Sequence, residues 1–208
     1  MSEANVFLPL FPLGTVLFPG GLLPLRIFEL RYLQMIGECH KAGTPFGVVG
    51  LMRGAEVRAA GAAPEVFADM GTLATIRHLE SPQSGLLVIE CVGTERFRIL
   101  ERRQQPNGLW TARIEKLPPE ARVPVPDDLL GVADALRQFA ETLRQRGGPL
   151  PLAEPPDYDD CAWVANRWCE LLPLPSEMRQ RLLALDSPLV RLELVSDLLA
   201  QTRISGQR

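Results

Sequence analysis

The sequence predicts an α+β fold in which a bent, antiparallel-rich β pseudobarrel precedes a helical bundle. Residues 66–117 alternate apolar and polar side chains between turn signals, which is the pattern of antiparallel strands. Beyond residue 126 the apolar residues recur with a helical period instead. Four prolines within residues 118–126 separate the two patterns. We therefore expect a β domain at 1–120, a proline-rich linker at 118–126 and a helical bundle at 127–202.

The opening stretch, residues 8–36, is apolar but is interrupted by prolines and by Gly20-Gly21. Because proline removes a backbone donor and fixes φ, the stretch cannot be one helix, and it predicts short extended pieces at 6–10, 15–17 and 23–27. A helix at about 29–41 should follow and should end at Ala42-Gly43. Helical spacing assigns the inner face of this helix to Leu30, Leu33, Ile36 and Gly37.

The next residues predict strands at 45–52, 71–79, 86–92, 95–102 and 109–117. Residues 53–64 lack a period and are expected to form an exposed connection, and Gly93-Thr94 is expected to form a bend. Asn107-Gly108 is the strongest short hairpin signal in the chain. Since sheet edges must be covered, we expect the sheet to close into a small barrel.

The second half predicts four helices, at 127–146, at 159–172, at 176–185 with Ser176 as its cap, and after Ser187-Pro188. A second proline-rich connection spans 149–156. The apolar spacing places these residues on the inner face of the first of these helices: Leu129, Val132, Ala133, Leu136, Phe139, Ala140 and Leu143.

Short motifs spread over the first half of the chain carry a family resemblance. They are Leu8-Pro9-Leu10-Phe11-Pro12, Val16-Leu17-Phe18-Pro19-Gly20, Leu23-Pro24-Leu25, Ile27-Phe28-Glu29 with Arg31-Tyr32, residues 71–76 and residues 93–99. In these motifs the chain resembles the amino-terminal, substrate-binding domain of the ATP-dependent Lon proteases, which also occurs as a free-standing protein. The resemblance implies a PUA-like barrel of the Lon amino-terminal type that recognises protein segments.

Composition and motifs argue against catalysis by this chain. The 22 basic and 25 acidic residues nearly balance, and the only lysines are Lys41 and Lys116. Neither lysine follows a glycine, as a phosphate-binding loop would require. The Ser-Lys pair that the resemblance implies for the Lon protease domain belongs to a region downstream of this domain. We expect no ATPase domain, no peptidase domain and no enzymatic activity.

Histidines and cysteines give no clear site. His40 adjoins Cys39 at a helix end, where a cation suits the helix dipole, and His78 lies at a strand end. The four cysteines show no metal-binding spacing, and no signal peptide or membrane helix is evident. We expect a soluble, reduced, cytoplasmic protein with no cofactor, metal or membrane. A small hydrolase remains an alternative, and it would require titratable residues to converge in one pocket.

The polar residues at the start of the first helix form the main candidate site. One interpretation is a lip that binds peptides, built from Arg26, Phe28, Glu29, Arg31 and Tyr32. The other, which the sequence favours, is structural: Glu29 and an arginine such as Arg96 form a partly buried pair that pins the helix to the barrel.

A second candidate surface is an outward stripe of arginines near Trp110, formed by Arg96, Arg98, Arg102 and Arg103. It keeps an RNA-binding module open as an alternative, although interleaved glutamates neutralise the stripe and argue against nucleic acid as a partner. The favoured function is a non-catalytic module that binds unfolded or tagged protein segments, or docks to a Lon-type protease or chaperone. We expect binding in an apolar groove between the sheet and the helical part, with edge-strand pairing and charged contacts at the rim.

Overall fold

The computed structural model describes residues 7–54, 65–147, 152 and 154–205. The chain divides into two compact units, Met1–Pro118 and Pro119–Arg208. Most of the predicted connections at 53–64 and 149–156 lies outside the described residues.

Among the described residues, the first unit contains a mixed sheet of six strands, ordered β2-β5-β4-β3-β1-β6, and one helix. Strands β1 and β3 are parallel to each other, and every other pair is antiparallel. The elements are β1 (Leu8–Leu13), β2 (Leu22–Ile27), α1 (Leu30–Ala42), β3 (Phe46–Arg53), β4 (Val66–Gln83), β5 (Leu86–Gln104) and β6 (Trp110–Lys116).

The sheet is a pseudobarrel rather than a closed barrel, so the expectation of closure is wrong. The long strand β5 pairs with β2 and β4 along its first half and with β6 along its second half, which bends the sheet strongly. Strand β2 pairs only with β5 among the described strands and remains an edge. The predicted hairpin at Asn107-Gly108 is confirmed between β5 and β6.

Two details of the predicted strands are wrong. Residues 15–17 form no strand, and the carbonyl of Leu17 instead accepts a hydrogen bond from Thr72 Oγ1 at 2.6 Å. Strand β5 continues through Gly93 without a break, because Gly93 exchanges backbone hydrogen bonds with the Gly20-Gly21 loop. A Cβ at Gly93 would lie 2.3 Å from the carbonyl oxygen of Phe18. Glycine is required there for close backbone approach rather than for a bend.

Apolar residues on both faces of the bent sheet are buried. Leu10 belongs to a cluster with Phe67 and Phe97, whereas its neighbour Phe11 belongs to a second cluster that includes residues of α1. Both faces of β1 are therefore covered, which explains its nearly continuous apolar sequence.

Helix α1 covers the sheet with a face that matches the expected one only in part, since Ile36 is buried and Leu33 packs against the core. Its buried residues are Arg31, Tyr32, Met35, Ile36 and Cys39, while Leu30 is 80% exposed. The predicted stop is confirmed, since Gly43 has the left-handed conformation (φ 64°) and its N–H caps the helix.

The second unit is helical. A 3₁₀ turn at Asp127–Leu129 precedes α2 (Leu130–Gln145), α3 (Cys161–Leu171), α4 (Ser176–Leu183) and α5 (Pro188–Ser205). In the part of the chain that the structure describes, no helix combines the length and apolar character needed to cross a membrane.

The helix ends confirm some predicted caps and correct others. Ser187 accepts a hydrogen bond from the N–H of Val190 at 3.4 Å, as a cap of α5 should. Ser176 is not a side-chain cap, since Pro175 occupies that position. Phe139 is 38% exposed but its ring lies 6.3 Å from that of Trp168, so it lies at the margin of the predicted inner face of α2.

A buried polar network connects the helices of the second unit. Arg191 is fully buried, and it pairs with Glu120 at 2.5 Å and donates to Asn166 Oδ1 at 2.7 Å. Its guanidinium also donates to the carbonyls of Leu182 and Leu185 at the end of α4. Helical periodicity does not reveal such a network, because the pattern counts an arginine as a surface residue.

The proline-rich stretch after residue 118 is tied to the start of α3. Cys161 N donates to the Val123 carbonyl at 2.8 Å, and Val123 N donates to Asp160 Oδ1 at 3.0 Å. Asp160 also caps α3, accepting from Trp163 N at 3.1 Å. Residues 123–125 are therefore held within the second unit.

Candidate functional site

A shallow depression lies where β2 ends and α1 begins, and we call it the β2–α1 depression. Its volume is about 80 Å³. The floor is apolar and the rim carries the polar side chains. The lining residues are Phe11, Leu13, Leu25, Arg26, Ile27, Phe28, Glu29 and Tyr32. Four of the five residues predicted to bind peptides, all but Arg31, therefore line one site.

Two large apolar side chains are exposed at this junction. Phe28 is 57% exposed and Leu30 is 80% exposed. Phe28 directly follows Ile27, whose side chain is buried at the end of β2, and successive side chains of an extended strand point to opposite faces. Leu30 is the first residue of α1, and it lies outside the buried face of the helix, which includes Tyr32 and Met35. Adjacent exposed apolar residues beside an apolar floor are typical of an interaction surface.

Tyr32 forms the floor of the depression rather than its lip. Its side chain is only 2% exposed, and its ring stacks on Phe11 with the centroids 3.9 Å apart. This stacking holds the first turn of α1 against β1 and keeps the floor apolar.

Arg31, the fifth predicted binding residue, is buried and is held by protein groups. Its Nη1 donates to Glu65 Oε1 at 3.3 Å and to the carbonyl of Gly108 at 2.9 Å. Its Nη2 and Nε contact Glu29 Oε2 at 3.1 and 3.2 Å. Arg31 therefore connects the start of α1, the start of β4 and the β5–β6 turn. The ion pair between Arg31 and Glu65 joins the helix to the sheet, where the sequence suggested a pair of Glu29 with an arginine such as Arg96.

Glu65 is a member of this cluster that the sequence pattern did not indicate, because it lies between the stretch without a period at 53–64 and the strand pattern that begins at residue 66. Trp110 Nε1 donates to Glu65 Oε2 at 3.2 Å. Burial raises the pKa of Glu65, but hydrogen bonds from its own N–H, from Trp110 and from Arg31, together with the Arg31 charge, lower it more. The net result is a pKa below the ordinary value.

The predicted arginine stripe is incomplete. Arg96 is 5% exposed, so its expected outward position is wrong. At this position β5 is flanked by other segments on both sides. Arg96 pairs with Thr72 of β4, and its carbonyl accepts a hydrogen bond from Leu117 N.

The other three arginines of the stripe are exposed, and each has an acidic partner. Arg98 pairs with Glu115 at 3.6 Å, Arg103 pairs with Glu101 at 2.6 Å, and Arg102 pairs with Asp69. A nucleic acid would have to displace these carboxylates, which argues against an RNA interface.

The histidines and cysteines do not form a catalytic arrangement among the described residues. His78 contacts Glu80 at 2.8 Å on the surface, and all four cysteines are buried free thiols. Burial raises the pKa of Cys91 and of Cys169 to about 12, so these thiols stay protonated at neutral pH. Within the described part of the chain, no three potential ligand residues come together to hold a metal ion.

Comparison with known proteins identifies the family. Residues 7–201 match the family model of the ATP-dependent protease La (LON) substrate-binding domain. The chain is 32% identical over 212 residues to the Lon protease of Paraburkholderia phytofirmans, covering 96% of this chain and 24% of the protease. It thus spans about a quarter of the length of that relative.

Solved structures agree with this match. The crystal structure of a Lon N-terminal domain protein from Xanthomonas campestris matches with a TM-score of 0.73 and 33% identity, over 94% of this chain and 98% of that one. The N-terminal domain of a Mycobacterium avium complex Lon protease shares the fold, with a TM-score of 0.60 and 16% identity over 92% and 97% of the two chains. The resemblance inferred from the opening motifs and the predicted α+β fold are confirmed, and the chain belongs to the LON substrate-binding domain family.

Proposed function

We propose that this chain is a protein-recognition module that binds unfolded or tagged protein segments at the β2–α1 depression. The observation that carries the proposal is the exposure of Phe28 and Leu30 beside an apolar floor. Membership of a substrate-binding domain family supports protein segments as the class of ligand. An unfolded segment differs from a folded protein in exposing its apolar side chains, which this surface can cover.

The size of the depression sets the mode of binding. A volume of about 80 Å³ suits one apolar side chain of the segment, which would pack against Tyr32 and Phe11. Phe28 and Leu30 would cover the neighbouring part of the segment, and the exposed guanidinium of Arg26 would contact its carbonyls or carboxylates. Burying one large apolar side chain contributes about 1.5–3 kcal/mol, so we expect modest affinity and tolerance of many sequences.

The test is binding of the intact chain to a fluorescent, reduced and carboxymethylated α-lactalbumin, which cannot refold, measured by anisotropy. We expect saturable binding that changes little with salt, because apolar burial dominates. The double variant Phe28→Ser, Leu30→Ser should weaken binding about tenfold or more, the effect of losing central apolar contacts. Leu100→Ser is the matched control, since Leu100 is 49% exposed on β5 away from the depression.

The alternatives give different results in the same assay. Equal loss of affinity in the double variant and in Leu100→Ser, or none in either, would contradict the assignment of the surface. Salt-sensitive binding to single-stranded RNA alone would favour the arginine stripe. Absence of binding to both probes would refute recognition of unfolded segments and leave docking to a Lon-type protease or chaperone as the remaining function.

A further inference from the structure

A second cavity in the first unit has a different chemistry, and we call it the α1 pocket. Its volume is about 180 Å³, and it lies between one face of α1, the start of β1 and the β5–β6 turn. Phe7, Met35 and Leu109 give it apolar walls, while Gln34, Glu38 and Asn107 give it polar groups.

Arg31 also lines the α1 pocket but has no hydrogen-bond donor left for a ligand. A guanidinium carries five N–H donors. Nε donates to Glu29, Nη1 donates to Glu65 and to the carbonyl of Gly108, and Nη2 contacts Glu65 and Glu29. The positive charge of Arg31 is thus balanced by two carboxylates, and it does not make the pocket a site for anions.

Glu38 contributes the uncompensated charge of the pocket. Its carboxylate accepts a hydrogen bond from the Gln34 side-chain amide at 3.1 Å, and no cation among the described residues forms an ion pair with it. Asn107 Oδ1 already accepts from Leu109 N at 3.0 Å. A ligand therefore meets apolar walls and a carboxylate, which is complementary to a long aliphatic stem with a cationic end.

We propose that the α1 pocket binds a lysine or arginine side chain of the protein segment held at the β2–α1 depression. This inference rests on the proposed function and deepens it, because it assigns the segments a basic residue at a set distance from the apolar one. Glu29, at the rim of the depression, and Glu38 are nine positions apart in the sequence, which is about 13 Å along a helix and about half a turn around it. An extended segment that follows the surface of α1 from one side to the other covers this path of about 22 Å in about six residues.

The test compares two short fluorescent peptides that differ at one position. Both carry leucine, and the position about six residues away is lysine in one peptide and norleucine in the other. At low salt the intact chain should bind the lysine peptide about threefold to fivefold more tightly, the size expected for a partly exposed ion pair. Glu38→Gln should remove this preference and leave the affinity for the norleucine peptide unchanged. Glu90→Gln removes an exposed carboxylate of β5 and should retain the preference.

The outcomes separate this inference from the proposed function. If both peptides bind equally, or if the preference survives Glu38→Gln, the α1 pocket does not select basic residues although recognition at the depression stands. A second measurement does not depend on recognition at the depression. Nα-acetyl-lysine methylamide should shift the NMR signals of the Gln34 and Asn107 side-chain amides saturably, and the norleucine analogue should not. Equal shifts with both compounds, or none, would overturn the proposal.

Discussion

At the scale of single residues, one buried ion pair decides the position of the candidate site. Arg31 and Glu65 have side chains that are 6% and 5% exposed. Their contact joins the start of α1 to the start of β4, and Trp110 supplies a further hydrogen bond to the same carboxylate. Removing one partner of such a pair leaves a buried group without full compensation, which costs more than the pair contributes.

The pKa of Glu65 gives this pair a pH dependence. Because the folded pKa lies below the ordinary value of 4.5, the carboxylate contributes stability above the unfolded pKa, and this contribution is lost as pH falls through the folded pKa. We expect Glu65→Gln to lower the free energy of unfolding at neutral pH by about 1–3 kcal/mol. The difference in the free energy of unfolding between the variant and the wild type should become smaller as the pH is lowered below 4.5.

Urea unfolding followed by circular dichroism across this pH range measures the effect. Glu90→Gln, at an exposed position of β5, is the control and should match the wild type throughout. If the free energies of unfolding of Glu65→Gln and the wild type differ by the same amount at every pH, the charge of Glu65 is not the source of the stabilisation.

At the scale of elements, the edge strand β2 bears on how a segment can bind. Gly93 N donates to the Gly21 carbonyl at 2.9 Å, and the register continues as Leu23 opposite Cys91 and Pro24 opposite Glu90. Hydrogen-bonded and non-hydrogen-bonded pairs alternate in an antiparallel ladder, so the backbone nitrogen of Pro24 faces the open edge. Proline has no N–H to donate there, and the edge is blunted against strand addition. Recognition through side chains at the depression is therefore favoured over the edge-strand pairing expected from the sequence.

Restoring a backbone N–H at position 24 should allow the β2 edges of two molecules to pair. Pro24→Thr supplies an N–H and a residue that favours strands, so we expect the variant to self-associate more strongly with rising concentration than the wild type does. Sedimentation velocity over a concentration series measures it. Pro82→Thr changes an exposed proline near the end of β4 and should behave as the wild type. A Pro24→Thr variant that sediments as the wild type does would show that the edge is protected by something other than proline.

The elements also show what a pattern can and cannot predict. Asn107-Gly108 predicted the β5–β6 hairpin because its signal is local. Helical spacing placed Leu33 and Ile36 correctly on the inner side of α1, but it included the exposed Leu30 and left out the buried Arg31, because it counts leucine as a core residue and arginine as a surface residue. The hydrogen bonds that satisfy the buried guanidinium of Arg31 go to Glu65 and to the carbonyl of Gly108. Both residues are distant in sequence, so helical spacing does not indicate them.

At the scale of the whole molecule, the motifs spread over the first half of the chain were sufficient to predict the family, and the change from a strand period to a helical period predicted the α+β class. The sequence predicted the residues of the candidate site as one group of neighbours along the chain, and the structure shows that they occupy different positions. Phe28 and Arg26 lie at the rim, Tyr32 lies on the floor, and Arg31 is internal. The exposure of Leu30 and the role of Glu65 were missed because both depend on how α1 packs on the sheet.

Contact between the β2–α1 depression and the bound segment can be tested directly by photo-crosslinking. The photoreactive amino acid p-benzoylphenylalanine would replace, in separate variants, Phe28, Leu100 and Phe139, which are all exposed apolar residues. Each variant would be irradiated with carboxymethylated α-lactalbumin. We expect strong crosslinking from position 28 and little from positions 100 and 139. Crosslinking from position 100 or 139 with none from position 28 would contradict it.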